Sequence, residues 1–230
     1  VHRPGIDHAG RWRLDTEAVR IPWGATVSEK TIERILDSHQ HAAWLWAVHC
    51  ETSTGVLNDL QMLQRICASR RIRLCLDCVS SIGAVPVDLR GVYLASGASG
   101  KALCGYPGLS MVYFNHKIEP RPRDLPRYLD LGYATANDGV HFTHSSNLVS
   151  ALHAALLDFR PDFAYARLTR LSRRLRDSLK QAGYEIVAPL SPVTVIRAPS
   201  CGSAEMEADI TPSAPLAQPS AAPALSSPSI

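Results

Sequence analysis

No apolar run in the sequence reaches the ~18 residues that a membrane helix needs, which argues against a helical span and a membrane partner. Surplus charge is equally scarce. The formal net charge is +3 with histidine counted neutral, too little to point to a nucleic-acid partner. The first residues, Val1-His2-Arg3-Pro4-Gly5, contain neither an apolar signal core nor an initiator methionine. The expected compartment is therefore cytoplasmic, and the start reads as that of a fragment, a processed chain or an incomplete gene model. Cysteines are few, at positions 50, 67, 75, 78, 104 and 201, and they do not form two metal-ligand pairs, so no metal site is expected. Cys75 and Cys78 make a C-x-x-C, but the pair straddles the end of the apolar run Ile72-Arg73-Leu74-Cys75-Leu76-Asp77. Buried, reduced thiols are the expected reading. There is no internal repeat.

What is present is an ordinary globular composition, with 230 residues and an apolar fraction of 46%. Residues 1–27 show no clear period. Ser28 to Ser38 reads as a helix, with Ser28 as N-cap, Thr31 in the place of a capping-box Glu, and Ile32, Ile35 and Leu36 as an apolar stripe. Ala43 to Val48 reads as a buried strand. Asn58 is expected to cap a helix running to about Ser69, followed by a strand over Ile72 to Leu76. This succession is a βαβ unit and predicts a parallel sheet. Further strands are expected at Gly91 to Ser96 and Leu109 to Phe114, then a loop-rich excursion over 115–142. Helices are expected at Ser146 to Phe159 and Asp162 to Ala182. The second carries Leu168, Leu171, Leu175 and Leu179 at helical spacing, and its arginines read as a solvated face rather than a binding surface. Short strands at Tyr184 to Val187 and Pro192 to Ala198 open what reads as a small second domain. From Thr211 onward the chain is nearly all Pro, Ser and Ala with no charge, a composition that predicts disorder.

In open α/β sheets, ligands bind at the carboxyl ends of strands. Three polar segments fall at such ends: His49 to Gly55, Asp77 to Ser81 and Ser96 to Lys101. If the strands are parallel and adjacent, the three converge on one crevice. Each segment alone has a plain reading: Asp77 as a turn or cap residue, Lys101 as a surface lysine, Thr52 to Gly55 as a helix entry. Together they place a carboxylate and an amine at the edge of an apolar sheet, where an unpaired charge is unfavourable. A pyridoxal phosphate cofactor uses both. The acid holds its ring nitrogen protonated, the lysine forms the Schiff base and shuttles a proton, and hydroxyls with Gly-rich turns suit the phosphate.

Four segments appear in order: Glu51-Thr52-Ser53-Thr54-Gly55-Val56-Leu57, Leu76-Asp77-Cys78-Val79-Ser80-Ser81-Ile82-Gly83, Ser99-Gly100-Lys101-Ala102-Leu103 and Pro107-Gly108-Leu109-Ser110. In this the chain resembles the class V, fold-type I, pyridoxal-phosphate-dependent aminotransferases over roughly residues 10–198, with most likeness to the alanine–glyoxylate, serine–pyruvate and 2-aminoethylphosphonate branch. The resemblance implies an α/β three-layer sandwich with a mostly parallel sheet. It implies a cofactor-binding large domain over 1–160 and the start of a small α+β domain over 161–198, and the composition beyond it gives a disordered tail over 199–230. It also implies roles for single residues. Lys101 would attach the cofactor and Asp77 would pair with its ring nitrogen. Val79 would pack on the ring, Thr52 would reach the ring hydroxyl, and Ser99 the phosphate. Thr143, within Phe142-Thr143-His144-Ser145, would contact the cofactor phosphate of a neighbouring subunit, which implies a homodimer. The implied substrates are a small amino acid (alanine, serine or aminoethylphosphonate type) and a 2-oxo acid such as glyoxylate or pyruvate. His49 is open to a site role or a structural one. Gly100 and Ser80 stand where desulfurases tend to carry His and Gln, which argues against desulfurase chemistry. Gly100 also stands where relatives usually have a polar phosphate contact such as Gln. The family's N-terminal cofactor turn and its substrate-clamping arginine find no match here, so a catalytically inactive remnant acting by binding is the alternative expectation.

Overall fold

Ser28 begins the first helix as expected. Its backbone is extended, and its hydroxyl accepts from the Thr31 N–H at 3.2 Å, so that α1 runs over Glu29–Ser38. Thr31 completes the cap through its own hydroxyl, 2.8 Å from that of Ser28. Ile32 and Leu36 are buried on the inner face. The computed structural model describes residues 9–140, 142–188 and 192–197. All of these fall within one contact unit, Val1–Pro199; the expected disordered tail lies outside the described residues.

The strand β1 (Trp44–Val48) is followed by a two-strand hairpin, β2 (Cys50–Glu51) and β3 (Val56–Leu57), then α2 (Leu60–Arg70) and β4 (Arg73–Asp77). β1 and β4 pair in parallel, as the βαβ succession predicts, with Val48 opposite Asp77. β5 (Leu94–Ala98) joins β4 in parallel, with Asp77 opposite Ser96. β6 (Ser110–Tyr113) closes the order β1-β4-β5-β6 and runs antiparallel to β5. The reversal follows from the connection. Residues 99–109 form a turn-rich link without a helix, whereas a parallel return needs a crossover of about a dozen residues or more, usually helical.

One predicted cap is corrected. Asp59, not Asn58, caps α2, with its carboxylate accepting from the Met62 N–H at 3.0 Å. The Asn58 side chain is committed elsewhere. Its amide donates to the Val48 carbonyl at 2.8 Å and its oxygen accepts from the Val27 N–H at 3.1 Å. It thereby ties the end of β1 to the segment entering α1. Leu63, Leu74, Leu76, Cys67 and Cys78, each less than 2% or at 2% exposure, form the centre of the core between the helices and the sheet. Cys75 is buried as well, and both members of the C-x-x-C are free thiols.

The excursion over 115–142 is more ordered than expected. It contains a 3-10 turn at Arg127–Leu129 and the short helix α3 (Leu131–Ala136). Asp130 organises it, buried and accepting from Tyr133 N–H at 3.1 Å and Arg121 N–H at 2.8 Å. The long helices α4 (Ser146–Asp158) and α5 (Pro161–Gln181) lie where predicted. Of the leucine stripe of α5, Leu168 and Leu179 are half-buried and Leu171 and Leu175 are exposed, while Ser172 is buried. The Ser172 hydroxyl donates to the Pro192 carbonyl at 3.2 Å, a polar tether from the helix to the following segment. The last strands, β7 (Glu185–Ile186) and β8 (Ile196–Arg197), form a short antiparallel pair.

Candidate functional site

Because β1, β4 and β5 are adjacent and parallel, their carboxyl ends stand side by side, and the three polar segments that follow them are stitched together. The His49 N–H donates to the Asp77 carbonyl at 2.9 Å, and the Cys78 N–H to the Ser96 carbonyl at 3.0 Å. The convergence expected from the sequence is present.

Asp77, the last residue of β4, is half-buried. Its Oδ1 accepts two hydrogen bonds, from the Val79 N–H at 3.0 Å and from the Ser96 hydroxyl at 3.3 Å. The first is a local turn bond of the kind Asp makes to its own backbone two residues on. The second crosses to the neighbouring strand. Among the described residues, no donor is recorded at Oδ2. Thr52 and Ser80 meet across the crevice, hydroxyl to hydroxyl, at 2.6 Å. The Thr52 turn is held by the β2–β3 hairpin, where Gly55 adopts φ +72° and a Cβ would fall 2.7 Å from the Val193 carbonyl oxygen. Glu51 fixes the same turn, accepting from both the Ser53 N–H and the Ser53 hydroxyl at 2.9 Å.

Lys101 follows β5 closely and is exposed. Ser99 departs from expectation. It is fully buried, donates its hydroxyl to the Tyr106 carbonyl at 2.6 Å, and accepts from the Leu109 N–H at 3.2 Å. That hydroxyl clamps the 106–109 turn rather than standing free for a phosphate. Gly100 has a steric reason: a Cβ there would lie 2.6 Å from Pro107 Cα. A side chain at 100 would have to displace the same turn. Val79 is half-buried, its N–H spent on Asp77. Thr143 is exposed ahead of α4, and no described hydrogen bond ties it to the crevice.

His49 is 4% exposed, and its Nδ1 has no hydrogen-bond partner among the described residues. Burial pushes its imidazole below the ordinary histidine value. Burial likewise raises the thiols of Cys67 and Cys78 to about 11, which leaves them protonated and inert near neutral pH. The sequence reading missed Ser96. Its signal is a register, Asp77 opposite Ser96, that only strand pairing reveals.

An acid with one oxygen held and, among the described residues, no donor at the other, an exposed amine beyond the next strand, and a hydroxyl pair formed by Thr52 of the first segment and Ser80 of the second make a donor set that fits a pyridoxal ring. A ring N–H needs the acid, an aldehyde carbon needs the amine, and a ring oxygen needs the hydroxyls. The phosphate would have to draw on groups other than the Ser99 hydroxyl.

Residues 18–125 match the family Aminotransferase class-V. A 2-aminoethylphosphonate–pyruvate transaminase of Pseudomonas fluorescens is 30% identical over 170 residues, covering 69% of this chain and 46% of the relative. The small subunit of a soluble hydrogenase from Synechococcus is 31% identical over 189 residues, covering 76% of this chain and 49% of the relative. Among solved structures, the alanine–glyoxylate aminotransferase of Nostoc superposes with a TM-score of 0.76 at 28% identity, covering 86% of this chain and 57% of that one. The chain spans about half the length of the curated relatives it matches. By family match over residues 18–125, relatives and fold, the chain is similar to the class-V aminotransferases, whose members work with pyridoxal phosphate.

Proposed function

We propose that the chain binds pyridoxal phosphate at the carboxyl ends of β1, β4 and β5 and takes part in transamination between a small amino acid and a 2-oxo acid. The observation that carries this reading is the Asp77 carboxylate, held among the described residues through Oδ1 and standing on the strand next to the one that leads to Lys101. When bound, the cofactor supplies an electron sink that loosens the substrate's α-proton. Asp77 provides a negative charge for the ring nitrogen, and Lys101 Nζ attaches the cofactor and moves the proton. Thr52, braced by Ser80, offers a hydroxyl to the ring oxygen. Val79 packs on the ring face.

The amino donor is of the alanine, serine or aminoethylphosphonate type and the acceptor is glyoxylate or pyruvate, in keeping with the names of the transaminase relatives. Thr143 serves the site of a second copy, so the working form is a homodimer. The exposed Phe142, Tyr128 and Leu157 nearby in the chain leave apolar surface for such a contact. The setting is cytoplasmic. A second reading is a chain that binds cofactor or partners without turnover.

Incubation with pyridoxal phosphate, reduction with borohydride and peptide mass spectrometry test the cofactor site. The expected result is a mass increment on the peptide containing Lys101, lost in Lys101→Ala. Absence of label on that peptide overturns the assignment. Turnover assays with the named donors then separate the catalytic reading from the binding one.

A further inference from the structure

We infer that Ser96 is a positioning residue for Asp77, fixing which carboxylate oxygen is offered to the cofactor; this rests on the pyridoxal phosphate reading above. Ser96 lies inside β5, itself half-buried, on the face opposite to that of its buried neighbours Ala95 and Gly97. A partly covered hydroxyl takes a hydrogen-bond partner where one is within reach. Here the partner is set by register. Asp77 and Ser96 are directly opposed in parallel strands, so their side chains project from the same face of the sheet. The Ser96 hydroxyl reaches Asp77 Oδ1 at 3.3 Å.

The bond matters because of where the other donor comes from. The Val79 N–H belongs to the turn immediately after Asp77 and meets the same oxygen at 3.0 Å. A carboxylate held only by its own turn moves with that turn and can rotate about its last torsion. A second donor on a neighbouring strand anchors the group to the sheet, the rigid part of the site. With Oδ1 held from two elements, Oδ2 is left as the oxygen for a ring N–H. Preorganisation of this kind raises affinity by removing a rearrangement from the binding step.

The test uses the full chain as wild type, Ser96→Ala and Ser96→Thr. Pyridoxal phosphate is titrated by absorbance, and the bound cofactor's visible band is followed against pH. Borohydride trapping at Lys101 in the wild type serves as the control. The expected result is affinity weakened roughly three- to tenfold in Ser96→Ala, the size of one ordinary net hydrogen bond. The pH midpoint of the band should move in Ser96→Ala, and both properties should return toward wild type in Ser96→Thr. Apo melting temperatures of the three chains report packing separately. Wild-type affinity and an unchanged pH midpoint in Ser96→Ala, with wild-type trapping intact, overturn the role of Ser96 alone. A failure of Ser96→Thr to restore affinity while its apo chain melts normally also overturns it. Absence of trapping in the wild type overturns the cofactor reading and this inference together.

Discussion

His49 shows how a single side chain can couple the site to pH. It sits directly after β1, donates its N–H to the Asp77 carbonyl, and is almost wholly buried, with no partner for its Nδ1 among the described residues. Burial lowers its affinity for a proton relative to the unfolded chain, where histidine titrates near ~6.5. Above that pH the ring is neutral in both states and adds no penalty. As pH falls below it, the unfolded chain takes up the proton first, and stability is lost until the buried ring itself protonates. The partly buried His39 acts in the opposite sense, since the Ile35 carbonyl and Glu17 raise its affinity for a proton. The measurement must therefore be a comparison. Melting temperatures of wild type and His49→Gln between pH 7.5 and 5.5 should show a shallower acid decline in the variant. Equal slopes would mean that the ring is hydrated or paired in solution.

At the scale of elements, the two residues that begin α2 divide the work. Asp59 caps the helix and Asn58 braces β1 against the segment entering α1. Asp59→Ala should cost about 1 kcal/mol, the usual loss of a helix cap, read as a lower denaturant midpoint with an unchanged slope. An unaltered midpoint would show that the Met62 N–H is satisfied by water instead. The same adjacency explains why the sequence reading chose the wrong residue. Asn and Asp are equally good caps, and only the tertiary positions of Val27 and Val48 reveal that Asn58 is already occupied. Helical spacing likewise identifies the leucine stripe of α5, but only the tertiary structure separates the half-buried Leu168 and Leu179 from the exposed Leu171 and Leu175.

For the molecule as a whole, binding and folding are linked. A ligand held only by the folded state stabilises it by about 2.7 kcal/mol at a concentration one hundred times its dissociation constant. Pyridoxal phosphate should therefore raise the melting temperature of the wild-type chain by several degrees, and by clearly less in Lys101→Ala. An unchanged melting temperature at saturating cofactor would favour a chain that folds without making a cofactor site. The placing of Asp77 and the Lys101 loop on neighbouring strands makes the linkage direct, because the β4–β5 pairing that forms the core also forms the crevice.

The sequence by itself determined the βαβ order, the principal helices, the three polar segments at strand ends and the family they resemble. These are matters of local periodicity, capping and spacing, which a short stretch of chain carries within itself. Only the tertiary structure decided that β6 runs antiparallel, that the Ser99 hydroxyl closes a turn instead of standing free, and that Ser96 reaches the Asp77 carboxylate. Each of those depends on which atoms meet across strands or turns, and a hydroxyl's role is fixed by the partner it finds rather than by its neighbours in sequence.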